Sequence, residues 1–352
     1  MVKNEMKKAI TIKDIAKIAQ VSESTVSRAL RNNEVINKKT RERVQAIAKE
    51  NNFKINAAAR NLRLQKTNTI AVIILFNEKS GQSISDPFML ELLGTIADEL
   101  TIQGYDMLLT TSKTTPGDWG NYYFESKRAD GLIVIGQGEK DERIGLLAGE
   151  NTPFVVWGLP DETKNYSTVG SDNIKGGYLA VSHLIAQGCK RIAFFGDIKH
   201  PEILARWQGY QQAHKEAGLI VDENLRTNLD FTSADGYKHA KNVFSKNVIS
   251  ADATFTGKNC PDALFAVSDA IALGAMKYFK ESDIRMPEQV SIVGFDDIAQ
   301  SEYAHPSLST IKQNTKQGGV ILVQNLLKKL KGEVIKTQLL EVELVKRESS
   351  AS

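Results

Sequence analysis

From residue 67 onward the chain repeats one rhythm, a short apolar run followed by a helical stretch with one apolar face. Ile70-Ala71-Val72-Ile73-Ile74-Leu75 precedes a helical periodicity over about residues 88–103, and Tyr105-Asp106-Met107-Leu108-Leu109 follows it. Further apolar runs stand at 132–135, 154–157, 191–195, 264–267 and 290–293. Strands that alternate with helices imply parallel sheets covered by helices on both faces, an α/β body. About 285 residues is long for a single sheet of this kind.

The first 66 residues break the rhythm in composition as well as pattern. They hold 16 Lys and Arg against 6 Asp and Glu, whereas the remainder holds 29 against 36. Of the 25 aromatic residues, only Phe53 lies in this segment. A small aliphatic-cored basic unit therefore precedes a separate acidic body, a charge division that points to a polyanionic partner at one end only.

Within that unit, Thr11 and Asp14 have the spacing of a capping pair, and Ile12, Ile15, Ala16 and Ala19 recur at helical intervals. Ser22 can cap a second short helix that turns Val26, Ala29 and Leu30 inward and leaves Glu23, Ser24, Thr25, Ser27 and Arg28 outside. Short polar side chains at the start of a helix suit phosphates and base edges in a major groove. A third helix from Asn37 packs Val44, Ile47 and Ala48 against the first two. The stretch from Asn56 to Arg63 is helix-prone and begins with a good cap, but two turns are too few to be stable alone, so its helicity depends on a partner.

Several function classes are excluded by what the sequence lacks. No apolar run reaches the roughly 18–20 residues that span a bilayer, and the basic start has no apolar leader core, which predicts a cytoplasmic protein. Cys189 and Cys260 are far apart and the five histidines are scattered, so neither a disulfide framework nor a metal site is expected. Gly136-Gln137-Gly138 has no correctly placed third glycine, and no phosphate-loop GKS or GKT occurs, so no enzymatic activity and no cofactor are expected.

Three ordered stretches carry a specific resemblance: Thr11-Ile12-Lys13-Asp14-Ile15-Ala16, then Val21-Ser22-Glu23-Ser24-Thr25-Val26-Ser27-Arg28-Ala29-Leu30, then Thr40-Arg41-Glu42-Arg43-Val44. Together they resemble the LacI/GalR family of bacterial transcription regulators. The resemblance implies an all-α helix-turn-helix head over residues 1–55, a hinge helix over 56–66, an α/β two-lobed body of the type I periplasmic-binding-protein fold over 67–346, and a disordered tail over 347–352. Glu23, Ser24, Thr25 and Arg28 would face the groove, and Ser22, Thr25 and Ser27 would hold phosphates, with Thr11 also in the DNA-contacting set. In the hinge, Asn56, Ala59, Arg60 and Leu62 would meet the minor groove, Leu62 as the wedge. An apolar wedge unstacks base pairs at a cost recovered when two hinges pack across a dyad, so the resemblance implies a homodimer on double-stranded operator DNA. No leucine-heptad tail follows, which argues against a tail-mediated tetramer.

For the body, the resemblance implies a small effector in the cleft between lobes and a two-state repressor controlled by it. Asp86, Phe88, Trp157, Asp172, Arg206, Phe231 and Asp269 are the candidate ligand residues, with a helix cap as the alternative role for Asp86 and Asp172 and a core role for Trp157. A guanidinium and a carboxylate facing one cleft, Arg206 and Asp269, would grip vicinal hydroxyls by charge-assisted bonds. A sugar is the expected effector and a purine or nucleoside the alternative. Ser307 and Ser309 stand where the family has a proline and a threonine, a departure expected to alter loop stiffness only.

Overall fold

The computed structural model describes residues 10–53, 66–76, 82–113, 117–137, 142–160, 165–244 and 260–350. The chain divides into two compact units between Thr67 and Asn68, one residue from the expected boundary. The hinge residues Asn56, Ala59, Arg60 and Leu62 lie outside the described residues.

The first unit is a three-helix cluster: α1 (Ile12–Ile18), α2 (Glu23–Ala29) and α3 (Lys38–Glu50). At its start the Thr11 hydroxyl accepts from Asp14 N while the Asp14 carboxylate accepts from Thr11 N, a reciprocal cap that satisfies two otherwise orphaned N–H groups. Ser22 and Asn37 cap the other two helices through the N–H groups of Thr25 and Thr40. Ile15, Ala19, Val26, Ala29 and Val44 close one aliphatic core. Arg43 and Gln45 of α3 bond the carbonyls at the ends of the first two helices, Ala19 O at 3.0 Å and Ala29 O at 3.1 Å.

The second unit holds two six-stranded sheets. In the first lobe, β1 (Thr69–Ile74), β2 (Asp106–Thr111), β3 (Gly131–Ile135), β4 (Phe154–Trp157) and β5 (Thr168–Ser171) pair in parallel, with α4 (Pro87–Ile102) and α5 (Glu142–Gly149) packed on the sheet. In the second lobe, β6 (Ile192–Phe195), β7 (Arg226–Thr227), β8 (Ala263–Ala266), β9 (Ser291–Asp296) and β10 (Ser309–Lys312) do the same. Its helices are α6 (Asn173–Ala186), α7 (Pro201–Glu216), α8 (Ser233–Phe244), α9 (Asp269–Glu281) and the short α10 (Ala299–Tyr303).

The chain crosses between lobes three times. After β10 it returns to the first lobe as α11 (Thr315–Leu330), whose Leu322, Val323 and Leu326 join the core of Ile70 and Leu100, and as β11 (Gln338–Leu340) beside β5. It then re-enters the second lobe as β12 (Glu343–Val345), antiparallel to β10. Central strands are buried along their whole length, except for Thr69 at the start of β1, as sheets covered on both faces require.

The expected disordered tail is corrected at residues 347–350. Ser349 and Ser350 are fully buried in the second lobe. Ile292 N donates to Ser349 O at 2.8 Å, Ser349 N donates to Ser307 O at 2.9 Å, and Ser350 Oγ donates to Ser309 Oγ at 2.7 Å. Ser307 and Ser309 are thus the receptor for this segment: Ser307 N donates to Glu348 at 2.8 Å and Ser309 Oγ donates to Arg347 O at 2.9 Å. Their departure from the family pattern sets an anchoring contact and not loop stiffness alone. Among the described residues no helix is long and apolar enough to cross a membrane, and no cluster of His, Cys, Asp or Glu has metal-ligating geometry.

Candidate functional site

On the basic head, α2 presents Glu23 and Ser24 in its first turn and Arg28 in its last as exposed side chains, with Thr25 and Ser27 half-exposed. The Ser22 hydroxyl lies 2.8 Å from Ser24 Oγ and 2.9 Å from Thr25 Oγ1, so three hydroxyls form one polar cluster at the helix start. Arg31 brackets the other end, donating to Ser27 O at 2.9 Å and Ser27 Oγ at 3.0 Å. Thr11 is exposed beside its cap. These are hydrogen-bonding groups on a basic unit with the apolar side chains turned in, the chemistry of a major-groove reader.

In the body, the carboxyl ends of both sheets face a cleft enclosing about 930 Å³ of empty space, part of it open to solvent. This is the place where α/β sheets bind ligands and the size of a small-molecule site. Five of the seven expected ligand residues line it: Asp86, Phe88, Trp157, Arg206 and Phe231. Phe88 and Trp157 form an aromatic corner, their ring centroids 6.3 Å apart and tilted by 50°. Trp157 is also packed from behind, since a methyl group at Gly318 would come within 2.3 Å of the indole. Phe231, from the other lobe, meets His200 edge-on at 5.4 Å. Asp86 lines the cleft and also caps α4, its Oδ1 accepting from Phe88 N and Met89 N; burial still pushes its carboxyl above the ordinary range.

Arg206 is buried and oriented on three sides. Its Nε donates to Asn173 Oδ1 at 2.8 Å, its Nη1 donates to Val267 O, and its guanidinium lies 3.5 Å from the centroid of Phe295. Burial lowers its pKa to about 10, against the pull of Asp296 and Glu202. The helices that carry this pair approach so closely that a Cβ on Gly177 would stand 2.1 Å from Arg206 O, so glycine is required there.

Asp172 and Asp269 are corrected. Asp172 is the cap of α6, accepting from Lys175 N at 3.0 Å, and the neighbouring Asn173 lines the cleft instead. Asp269 is fully buried behind the cleft wall, where it accepts from Ile298 N at 3.0 Å, Ser301 Oγ at 2.7 Å and Thr310 Oγ1 at 2.6 Å. Burial pushes its carboxyl up to about 7.

The strand-end carboxyl that lines the cleft with Arg206, beside those of Asp86 and Glu202, is Asp296, at the end of β9. It accepts from Gln313 Nε2 at 2.7 Å, and burial pushes its pKa well up although Arg206 opposes this. Both Asp296 and Asp297 have positive φ, 122° and 59°, a region costly for residues with a Cβ. The turn is held from below by Asp269 through Ile298 N and from the side by Arg347, which donates to Asp297 Oδ1 at 2.7 Å. Other lining groups missed from sequence are Gln137, Ser171, Asn173, His200, Glu202 and Gln313. The Ser171 hydroxyl is buried with no hydrogen-bond partner in the chain, which leaves it available to a ligand. The signal for Asp296 was its place at a strand's carboxyl end within Gly294-Phe295-Asp296-Asp297; the polar side chains beside it carry none.

Residues 11–56 match the family of bacterial regulatory proteins, lacI family, and residues 181–350 match a periplasmic binding protein-like domain. The transcriptional repressor PurR of Haemophilus influenzae is 31% identical over 326 residues, 91% of each chain, and that of Histophilus somni is 29% identical over 345 residues, covering 96% of this chain and 98% of the relative. Among solved structures, a lac repressor dimer bound to operator and the anti-inducer ONPF is 25% identical with a TM-score of 0.84, covering 98% of this chain and all of the other. The regulator CelR in complex with cellobiose is 27% identical with a TM-score of 0.70, covering 97% and 99%. These relatives are named as repressors and regulators, and this chain carries the same two kinds of unit, a helix-turn-helix head and a two-lobed α/β body. The chain belongs to the lacI family of bacterial regulatory proteins, as a DNA-binding transcriptional repressor.

Proposed function

We propose that the protein represses transcription as a homodimer on operator DNA and that a small sugar bound between its lobes sets its operator affinity. The observation that carries the effector reading is the cleft itself, in which an aromatic corner and a third ring surround Asp296, Arg206, Gln313 and an unpartnered Ser171 hydroxyl. A pyranose offers an apolar C–H face to one ring and a rim of hydroxyls to charged acceptors and donors. The solved neighbours named for cellobiose and for bound ribose support this class. The PurR name of the sequence relatives favours a purine instead. A flat base is best held between stacked faces, whereas Phe88 and Trp157 meet at 50°.

A ligand shifts operator affinity only through unequal affinity for two arrangements of the lobes. The hinge stretch with Asn56, Ala59, Arg60 and Leu62 is the proposed link, forming helices against a dimer mate and the minor groove in the bound arrangement. Isothermal titration of the full chain with cellobiose, maltose, ribose, hypoxanthine and guanine, followed by gel shifts on operator fragments with the binder present, tests both parts. A sugar that binds and changes the shift is expected; a purine that binds where no sugar does would overturn the sugar reading.

A further inference from the structure

We infer that the cleft selects an effector with no phosphate or carboxylate group, so that the signal is a sugar before any phosphoryl transfer to it. The sugar part rests on the reading above, while the exclusion of anions stands on the lining's own geometry and charge.

Four helices bring their N-termini to this cleft: α4, α6, α7 and α9. A helix N-terminus is a ready anion site, with unpaired N–H groups and the positive end of the dipole. Three of the four are capped by a side chain of this chain, and the fourth, α7, has no side-chain cap but opens on a proline and an acid. Asp86 takes the N–H groups of Phe88 and Met89 at the start of α4, and Pro87 supplies none. Asp172 takes Lys175 N at the start of α6. The α7 helix begins with Pro201, again without an N–H, and places Glu202 in its first turn. Ser268 takes Ile271 N at the start of α9, and Asp269 fills that first turn.

The charges point the same way. Among the described lining residues Arg206 is the sole Lys or Arg, and it stands with the carboxyls of Asp86, Glu202 and Asp296. Two of its donor nitrogens are spent on Asn173 and Val267. Burial already raises all three carboxyls, so each is reluctant to carry charge before a ligand arrives. A phosphate of about −1.5 to −2 would be brought in beside them, with few free donors to receive it. Neutral hydroxyls bring no like charge, and a carboxyl can accept from them or, when protonated, donate to them.

The test is isothermal titration of the full chain with matched pairs at one ionic strength: cellobiose and its 6′-phosphate, maltose and its 6′-phosphate, ribose and ribose 5-phosphate, hypoxanthine and inosine monophosphate. In whichever pair binds, the phosphorylated member should be at least tenfold weaker. The double variant Asp86→Asn, Glu202→Gln, which keeps both side-chain shapes and a capping oxygen, should narrow that ratio at least threefold. Its folding is checked by melting and by operator gel shift without ligand. Raising NaCl should narrow the wild-type ratio in the same direction, which supplies the test should the variant not fold. A phosphorylated member that binds as tightly as its neutral parent, or a ratio unmoved by both salt and the variant, overturns the inference. Binding of hypoxanthine with rejection of its nucleotide overturns the sugar reading and leaves the exclusion of anions standing.

Discussion

Asp269 and Asp296 are both strand-end acids of the second lobe, and only one of them lines the cleft. The side chain at 269 turns down to three donors on the following turn and strand, whereas the positive φ at 296 swings that carboxylate to the surface of the cleft. Sequence marks both as acids beyond a strand, but which way each points depends on a backbone conformation that local pattern does not encode. Asp296→Asn should therefore lower ligand affinity about 10–100-fold, the cost of losing a charged acceptor, with ligand-free operator affinity within about threefold of wild type. Asp269→Ala should act differently, lowering the melting stability of the body by at least about 2 kcal/mol, because Ile298 N, Ser301 and Thr310 lose their acceptor. Equal effects of the two variants in titration and melting would contradict the assignment. The raised carboxyls also give a pH dependence. The folded body holds protons between about pH 4 and 7 that the unfolded chain has released, so this contribution to stability falls as pH rises through that window. The decline in melting temperature from pH 5 to 8 should be shallower in Asp296→Asn than in wild type.

Helices and segments were legible where their ends carry chemistry. The capping pair at Thr11, the Ser22 cap and the inward set of α2 follow from spacing alone, as do most strands of the body, because continuous apolar runs between helices have few other uses. The hinge helix is expected through resemblance alone and lies outside the described residues; on that expectation Leu62→Ala should weaken operator binding and reduce DNA bending while leaving ligand affinity unchanged, and an unaltered bend in circular-permutation gel shifts would sink the wedge role. Residues 347–350 misled because a short Ser-rich polar stretch reads as a solvated tail when its receptors, Ser307, Ser309 and Asp297, are some forty to fifty positions away. Truncation after Lys346 should remove the Arg347 pair and the Ser349 bonds together and lower the melting temperature of the body measurably. No change in melting would show these contacts to be idle.

For the molecule as a whole, the division of charge and aromatics announced two bodies, and the structure divides at Thr67 and Asn68. The basic segment carries its consequence into binding. If a dimer neutralises roughly 6–10 phosphates, operator affinity should fall about 10³–10⁵-fold between 50 and 200 mM salt; a flat salt profile in gel shifts would contradict the head's assigned partner. The cleft was placed correctly between lobes, but its charge balance was not foreseeable, since it depends on which acids the helix caps deliver to one space.

The three crossings of the body bear on how the repressor is made. The first lobe lacks α11 and its edge strand β11 until the chain has passed Leu340, and the second lacks β12 and the Ser349 contacts until a few residues later. Although translation is gradual and domains commonly fold as they emerge, neither lobe of this body can be finished while the ribosome is still reading its last strands. A chain that stopped before Leu340 would therefore carry a basic head on two unfinished lobes.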